Sequence, residues 1–357
     1  MTKRPTSRPD VVALEGYHSP QMDVAVRLNT NESPLPPPAE FADALAEATR
    51  AIGWNRYPDR GAGRLRTALA ERYGVGADQV FAANGSNEVI QSLLMAYGGS
   101  GRSVAVFEPT YAMYAQIARF TGTRVVRARR DSDFALAPTV VADLLDAECP
   151  DLVVLCSPNN PTGTLDPGNL VSEVVEAAGS YGGLVVVDEA YGQFAPHSAV
   201  DLIDNDRNLV VSRTFSKTWA MAGARIGYLL GPSWCVAELE KVALPYHLDA
   251  FKQVAGELAL AHGPAMDQRI SVLVSERERM STALEALPVT AWPSAANFIL
   301  FRPETRSGRE VWQDLVNRSV LVRDFTTMEG VEGCLRVTIG TSDENDRFLN
   351  ALREALS

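Results

Sequence analysis

The sequence predicts an α/β fold with a mostly parallel seven-stranded sheet flanked by helices, followed by a smaller α+β domain. Three observations support this prediction. From about residue 79, short apolar runs alternate with longer helix-like segments, as expected for strands joined by helical crossovers. Several runs, such as 152–156 and 184–187, are unbroken apolar stretches, which indicates strands covered on both faces. Past about residue 245 this alternation gives way to a less regular order of helices and strands.

Seven apolar runs are predicted to form the strands of the large sheet. They are residues 79–83, 103–107, 124–128, 151–156, 183–188, 208–213 and 225–231. The last run follows the sixth after a connection too short for a helical crossover, so we expect that strand to be antiparallel.

The chain of 357 residues is long enough for two domains. Residues 1–40 are rich in proline and are predicted to form an extended arm that packs with the small domain. A helical pattern follows at 39–52. We predict a large domain over residues 41–245 and a small domain over residues 246–357.

The small domain is predicted to begin with a long helical stretch and to continue with strands and helices. The helical stretch covers 250–287, the strands cover 297–301, 320–323 and 335–339, and the helices cover 308–318 and 343–356. Thr341 and Glu344 have the spacing of a capping box at the start of the last helix.

Composition limits the classes of partner. The formal net charge of −11 argues against nonspecific nucleic-acid binding, although it allows anionic substrates held by local arginines. No apolar run reaches the length of a membrane span, and residues 1–10 lack the apolar core of a signal peptide. The four cysteines lack metal-ligand spacing and are predicted to be reduced thiols of a cytoplasmic protein without a metal site.

A lysine directly after an apolar run is the clearest chemical signal. Lys217 follows the run 208–213, and an unpaired ammonium is costly to bury unless its pKa shifts or it bonds covalently. Thr214, Ser216 and Arg225 beside it are suited to holding a phosphate. A lysine that forms a Schiff base beside a phosphate site suggests pyridoxal phosphate. The alternative is an exposed lysine in an ordinary loop.

Other predicted strands also end in residues suited to ligand binding, at the edge of the sheet where open α/β folds bind ligands. Ser86 and Asn87 open a helix whose free amides suit an anion, although a plain helix start explains them equally well. Tyr111 can stack on a flat ring, or can simply be a surface tyrosine in a turn. Asn160 lies in a turn, 157–163, that two prolines and a glycine make rigid.

Asp188 follows four apolar residues and should be poorly solvated there. A protonated pyridine nitrogen is a suitable partner for such a carboxylate. Tyr191, three residues later, is placed to reach the ring hydroxyl beside Asn160. The alternative for Asp188 is that it caps the loop that follows it.

Together these segments resemble the fold-type I pyridoxal-phosphate enzymes of the aminotransferase class I/II family, over nearly the whole chain. Within that family the sequence is most similar to the histidinol-phosphate aminotransferases. The segments that carry the resemblance are Leu-Asn-Thr-Asn-Glu-Ser-Pro at 28–34, Asn-Arg-Tyr-Pro-Asp at 55–59, Ser-Pro-Asn-Asn-Pro-Thr-Gly at 157–163, Thr-Phe-Ser-Lys at 214–217 with Arg225, and Leu-Arg-Val-Thr-Ile-Gly at 335–340. The segments at 157–163 and 214–217 are specific to the superfamily, and the segment at 55–59 narrows it to this subfamily.

The resemblance implies a cofactor role for each matching position. Lys217 would form the Schiff base, Asp188 would pair with the pyridine nitrogen, Tyr191 and Asn160 would hold the ring oxygen, Tyr111 would stack on the ring, and Ser86, Asn87, Thr214, Ser216 and Arg225 would bind the phosphate. Many relatives carry aspartate where this chain has Asn87. Tyr57 would reach the phosphate and substrate from the other subunit, which implies a homodimer.

The resemblance also implies a substrate site and a reaction. Arg336 would bind the α-carboxylate of amino-acid and keto-acid substrates, and Arg323 the distal phosphate. Tyr17 and Asn29 would close the pocket, although the segment around Tyr17 fits the family pattern loosely. The implied reaction is ping-pong transfer of an amino group between histidinol phosphate and 2-oxoglutarate. An aromatic amino-acid transaminase and a lyase such as threonine-phosphate decarboxylase are the alternatives on the same scaffold.

Overall fold

The structure is a computed structural model that describes residues 4–12, 16 and 20–357. Its helices are α1 Pro9–Val12, α2 Ala39–Arg50, α3 Gly63–Tyr73, α4 Ser86–Tyr97, α5 Met113–Thr121, α6 Pro138–Glu148, α7 Leu170–Gly179, α8 Ser233–Val242, α9 Ala250–Ala261, α10 Gly263–Glu285, α11 Gly308–Asn317 and α12 Ser342–Leu356. Its strands are β1 Val26–Leu28, β2 Val80–Ala83, β3 Ser103–Glu108, β4 Arg124–Arg129, β5 Leu152–Cys156, β6 Leu184–Asp188, β7 Leu209–Thr214, β8 Gly227–Leu230, β9 Val289–Ala291, β10 Phe298–Pro303, β11 Val320–Asp324 and β12 Leu335–Thr338.

The larger sheet has the strand order β2-β8-β7-β6-β5-β3-β4, so the seven predicted apolar runs all become strands of one sheet. Neighbours from β4 to β7 pair in parallel. The prediction that the last run is antiparallel is confirmed, because β8 pairs antiparallel with β7 and also with β2. Strand β2 therefore runs in the same direction as the parallel strands, and its carboxyl end lies at the same edge of the sheet.

Both faces of the large sheet are buried, as the unbroken apolar runs predict. Alternate residues of β3 belong to different hydrophobic clusters: Val104 and Val106 pack on one face, and Ala105 and Phe107 on the other. All four side chains are almost fully buried. Helices cover both faces, so ligands can reach the sheet only at its edges.

The smaller sheet has the order β1-β11-β12-β10-β9. Its strand β1 lies within residues 1–40 and was not singled out as a strand from the sequence. Val26 and Leu28 are buried while Arg27 between them is exposed, and β1 pairs in parallel with β11. This alternation spans only three residues, too few to stand out from the proline-rich sequence around it.

The prediction of one long helical stretch over 250–287 was wrong, because the chain forms two helices, α9 and α10, that meet at His262. Pro264 lies in the first turn of α10. Proline lacks the N–H that a continuous helix would use there, and it is tolerated in a first turn because that N–H has no intrahelical partner.

The capping box predicted at the last helix is confirmed. Thr341 Oγ1 accepts a hydrogen bond from the Glu344 N–H, and the Glu344 carboxylate accepts one from the Thr341 N–H at 2.8 Å. In the part of the chain that the structure describes, no helix is both long and apolar enough to cross a bilayer. The domain limits at residues 40/41 and 245/246 stay predictions.

Candidate active site

The carboxyl ends of β2, β3, β5, β6 and β7 meet at one edge of the large sheet and border a single cavity. Residues of the small sheet and of the segment after β1 close its other side. The predicted site residues that line it are Asn29, Ser86, Asn87, Tyr111, Asn160, Asp188, Tyr191, Thr214, Ser216, Lys217, Arg225, Arg323 and Arg336. The fold therefore brings these side chains together, and their individual roles stay predictions.

Of the predicted site residues that the structure describes, Tyr57 is not part of this cavity. Tyr57 lies on the surface, 80% exposed, with its ring stacked on Tyr246 at 4.5 Å between centroids. It does not line the cavity of its own chain. Tyr17 lies outside the described residues.

Lys217 is held with its amine inside the cavity. Nζ donates to the Thr30 carbonyl oxygen at 3.1 Å and lies 5.7 Å from the centre of the Tyr191 ring. Burial lowers the pKa of Lys217 to about 7, and the positive charges of Arg336 and Arg225 act in the same direction. A large fraction of this amine is therefore neutral near pH 7, which is the form that attacks an aldehyde.

Asp188 ends β6 with a fully enclosed carboxylate. Oδ2 accepts a hydrogen bond from the Tyr114 hydroxyl at 2.7 Å, and Oδ1 accepts one from the Ala190 N–H at 3.0 Å. Burial raises the pKa of Asp188, and the Tyr114 hydrogen bond opposes that shift. Among the described residues Asp188 forms no salt bridge with a lysine or arginine, so a protonated pyridine nitrogen would supply the missing positive charge.

Tyr114 was not among the predicted site residues. Its ring is buried and packs edge-on against the Tyr111 ring, with 5.5 Å between centroids. The Tyr111 hydroxyl in turn donates to Asn87 Oδ1 at 3.2 Å. The sequence offered a usable signal, because Tyr114 follows the predicted site residue Tyr111 by only three residues.

The cavity extends to the start of α4, where Ser86, Asn87, Ser216 and Arg225 line a recess. Arg225 Nη1 donates to Ser216 Oγ at 3.0 Å, and a Cβ added to Gly85 would lie only 2.7 Å from Arg225 Nη2. Glycine at this position, with φ of 88°, lets the guanidinium approach the first turn of the helix. Free helix amides, hydroxyls and a guanidinium around one recess fit the phosphate of pyridoxal phosphate.

The small sheet contributes two guanidinium groups. Arg323 and Arg336 are directly opposite each other in the antiparallel pair of β11 and β12. Arg336 is buried and donates to the side-chain oxygen of Asn160 and to the Asn29 carbonyl oxygen. Phe325 packs beside both guanidinium groups. The centre of its ring lies 5.8 Å from Arg323 Cζ and 5.2 Å from Arg336 Cζ. The two guanidinium groups make this wall of the cavity suited to binding an anionic group of a substrate.

The turn that carries Asn160 is held by its neighbour Asn159, which was not predicted to matter. Asn159 is fully buried; its Nδ2 donates to the Pro109 carbonyl oxygen at 3.0 Å, and its Oδ1 accepts from Thr110 Oγ1 at 2.9 Å. These bonds tie the turn after β5 to the turn after β3, and so fix Asn160 relative to Tyr111.

Three consecutive residues after β1 each contact a predicted site residue. The Asn29 carbonyl oxygen accepts from Arg336, the Thr30 carbonyl oxygen accepts from Lys217, and Asn31 Nδ2 donates to the Tyr191 hydroxyl oxygen at 2.9 Å. Only Asn29 of the three was predicted, although the segment 28–34 is one of those that carry the family resemblance. Backbone acceptors such as the Thr30 carbonyl leave no mark in a sequence.

Comparison with known proteins agrees with this geometry. The family model for aminotransferase class I and II matches residues 23–352. The histidinol-phosphate aminotransferase of Frankia casuarinae is 46% identical over 364 residues, covering 98% of this chain and 90% of the relative. That of Mycolicibacterium vanbaalenii is 42% identical over 357 residues, covering 96% of this chain and 94% of the relative.

The fold is likewise that of known structures. The crystal structure of histidinol-phosphate aminotransferase from Sinorhizobium meliloti in complex with pyridoxal-5'-phosphate superposes with a TM-score of 0.89 at 22% identity, covering 98% of this chain and 96% of that chain. The predicted fold class and the predicted cofactor class are confirmed. The chain therefore belongs to the pyridoxal-phosphate-dependent aminotransferase class I and II family, among the relatives named histidinol-phosphate aminotransferases.

Proposed function

We propose that this aminotransferase interconverts histidinol phosphate and 2-oxoglutarate with imidazole-acetol phosphate and glutamate, a step of histidine biosynthesis. The observation that carries the proposal is the pair of guanidinium groups, Arg323 and Arg336, side by side on the cavity wall. Near-full-length relatives that are named for this substrate support it.

The two substrates present different anions to the same wall. Histidinol phosphate carries a phosphate ester where glutamate carries its α-carboxylate, and a phosphate monoester has a charge of about −1.5 to −2 at neutral pH. Two guanidinium groups balance that charge better than one. For glutamate, we propose that Arg336 takes the α-carboxylate and that Arg323 takes the side-chain carboxylate.

Pyridoxal phosphate, when bound, supplies a ring that accepts the electrons left when the α-proton departs. We propose that Lys217 moves that proton, since an amine with a pKa of about 7 can both accept and release it near neutral pH. Asp188 would keep the pyridine nitrogen protonated. Tyr191 and Asn160 would orient the ring through its oxygen, and the recess at Ser86 would hold the phosphate.

We further propose a cytoplasmic homodimer in which Tyr57 completes the site of the partner subunit. The high exposure of Tyr57, together with that of Trp54 and Leu244, supports a partner that covers this surface. Four cysteines without disulfides suit a reducing compartment. We also propose that residues 1–40, 41–245 and 246–357 form the arm and two domains.

The proposed substrate is tested by following the absorbance of the bound cofactor while adding histidinol phosphate, glutamate or phenylalanine to the holoenzyme. We expect histidinol phosphate and glutamate to bleach the visible band at much lower concentrations than phenylalanine does. Bleaching by phenylalanine at concentrations as low as histidinol phosphate would favour the aromatic transaminase instead. Release of carbon dioxide would favour a lyase.

The role of Arg323 is tested by Arg323→Ala. Loss of one charge-assisted contact should lower kcat/KM for histidinol phosphate about 10- to 100-fold and leave neutral aromatic substrates nearly unaffected. Arg302→Ala is the matched control, since Arg302 packs on Trp292 in the same small sheet and does not line the cavity. An equal loss for aromatic substrates would contradict the assignment.

A further inference from the structure

We infer that Asn31 is a positioning residue that directs the hydroxyl proton of Tyr191 toward the ring oxygen of the cofactor. The inference rests on the proposed function only in placing that ring oxygen beside Tyr191. Asn31 borders the same cavity, and in this scheme it bonds to neither substrate nor cofactor. It acts through Tyr191, by deciding which way that phenol donates.

Asn31 is held in place by burial, by its backbone conformation and by several hydrogen bonds. It is 1% exposed and adopts a left-handed backbone conformation with φ of 54°. Its carbonyl oxygen accepts from Asn297 Nδ2 at 3.3 Å, and its side chain contacts both Thr338 of the small sheet and Tyr191, which lies three residues after the end of β6. Asparagine, aspartate and glycine are the residues that tolerate this conformation best.

The hydrogen bonds around Asn31 fix the direction of its amide. The Asn31 N–H donates to Thr338 Oγ1 at 3.0 Å, so the Thr338 hydroxyl uses its own proton to donate to Asn31 Oδ1 at 3.1 Å. The Nδ2 amine must then face Tyr191, to whose hydroxyl oxygen it donates at 2.9 Å. A flipped amide would leave the Thr338 proton without an acceptor among the described residues.

This direction determines what Tyr191 can do. Burial raises the pKa of Tyr191, so the phenol keeps its proton, and its oxygen already accepts from Asn31. The proton is therefore free to be donated into the cavity. The ring oxygen of bound pyridoxal phosphate is an anion that takes such a donor. The other titratable or charged groups facing Tyr191 are Lys217, Arg336, Tyr111 and Cys156.

The test measures the pH midpoint of the visible absorbance change of bound pyridoxal phosphate in the holoenzyme. A hydrogen bond donated to the ring oxygen favours the deprotonated chromophore and lowers this midpoint. Asn31→Asp presents only acceptors, so Tyr191 should turn its proton to the aspartate, and the midpoint should rise by about one to two pH units. Asn31→Gly removes the donor without replacing it, and should raise the midpoint by less.

A double-mutant cycle separates this effect from the added negative charge. In a Tyr191→Phe background, Asn31→Asp should shift the midpoint by less than half as much as in the wild type, because the phenol proton is absent. Equal shifts in the two backgrounds would overturn the inference, and so would an unchanged midpoint in Asn31→Asp.

Asn297→Ala controls for a merely structural role, since the Asn297 side chain donates a hydrogen bond to the backbone of Asn31 rather than to the Tyr191 hydroxyl. It should lower the melting temperature and leave the midpoint in place; a shift equal to that of Asn31→Asp would overturn the inference. Failure of the wild-type enzyme to bind pyridoxal phosphate would instead contradict the proposed function. The midpoint does not depend on which amino donor is the substrate.

Discussion

At the scale of single residues, the site is built from buried ionisable groups whose charged forms are destabilised. Burial lowers the pKa of Lys217 to about 7 and raises that of Asp188. Both shifts favour the neutral form of the side chain. For Lys217 the neutral form is the one that reacts with the cofactor, whereas Asp188 has to be charged to pair with the pyridine nitrogen. The neutral lysine is ready to react, whereas the aspartate needs a donor such as Tyr114, and a positive partner, to stay charged. The sequence placed both groups after strands, but it could not show the hydrogen bonds that tune them.

The lowered pKa of Lys217 predicts a pH-dependent gain in stability when the lysine is removed from the cofactor-free enzyme. Below about pH 7 the folded state must bury a charged amine. Between that pH and the unfolded pKa, only the unfolded state binds the proton, so stability rises with pH. Lys217→Met should therefore raise the melting temperature most at pH 6 to 7, and progressively less toward pH 10.

Lys241→Met is the matched control for that experiment, because Lys241 is an exposed lysine on α8 whose side chain pairs with Glu238. It should change the melting temperature little at any pH. A Lys217→Met gain that is constant from pH 6 to 10 would show that charge burial is not its cause.

Tyr114 should contribute to cofactor affinity through Asp188. Tyr114→Phe removes the donor to Asp188 Oδ2, which lets the pKa of Asp188 rise further and weakens its pairing with the pyridine nitrogen. We expect the Kd for pyridoxal phosphate to increase about 10-fold or more, since hydrogen bonds to charged groups contribute about 1.5–3 kcal/mol. Titration of the cofactor-free enzyme, followed by absorbance, measures this.

Tyr181→Phe serves as the comparison, because the buried Tyr181 hydroxyl has no hydrogen-bond partner among the described residues and lies outside the cavity. Its Kd for pyridoxal phosphate should equal that of the wild type. If Tyr114→Phe also binds with wild-type affinity, Asp188 does not depend on Tyr114.

At the scale of elements, the sequence was most informative where a pattern was long. The unbroken apolar runs predicted β2 to β8 to within about two residues at each end, and the capping box predicted the start of α12. The strands β1 and β9 were not predicted, because three residues are too few for an alternating pattern to stand out, and β1 also pairs with a strand far away in the chain. The arm segment 29–31 reaches the site only because β1 pairs with β11.

Strand β8 approaches the start of α4 so closely that a side chain on Gly227 would displace the helix. A Cβ on Gly227 would lie 2.3 Å from the backbone of Gly85 and Ser86. Gly227→Ala must push the start of α4 away from β8 and distort the phosphate recess. Because overpacking of this kind costs about 1–3 kcal/mol, we expect a Kd for pyridoxal phosphate raised about 10-fold or more, with a lower melting temperature.

Gly223→Ala is the matched control, since an added Cβ there meets nothing within 4 Å. It lies two residues before Arg225 and should leave both the cofactor affinity and the melting temperature unchanged. Wild-type behaviour of Gly227→Ala would show that the strand and helix can separate without disturbing the recess.

At the scale of the whole molecule, one chain brings together every described group of the predicted cofactor site except Tyr57. Tyr57 lies on the surface with its ring stacked on Tyr246, and Trp54 and Leu244, which are near these two residues in the sequence, are also exposed. The role of Tyr57 came from the family resemblance, because a single sequence does not reveal which surface a second copy would cover. A site shared between two subunits would explain why these large side chains face outward.

Sharing of the site predicts complementation between two inactive variants. Lys217→Ala and Tyr57→Ala should each be nearly inactive as pure proteins. In mixed dimers one site combines Lys217 from one chain with Tyr57 from the other, and is intact. Random pairing of equal amounts makes half of the dimers mixed, each with one intact site of two. Co-expression should thus restore about a quarter of the wild-type activity per mole.

The control pairs Lys217→Ala with Asp188→Asn, two substitutions of residues that one chain contributes to the same site. Lys217 and Asp188 line the same cavity of one chain, so no mixed dimer of these variants contains an intact site. Activity should stay at the level of the pure variants. Recovery in the first mixture and none in the second would place Tyr57 in the partner's site. Equal activity in both mixtures would mean that each chain works alone and that the exposed Tyr57 has another role.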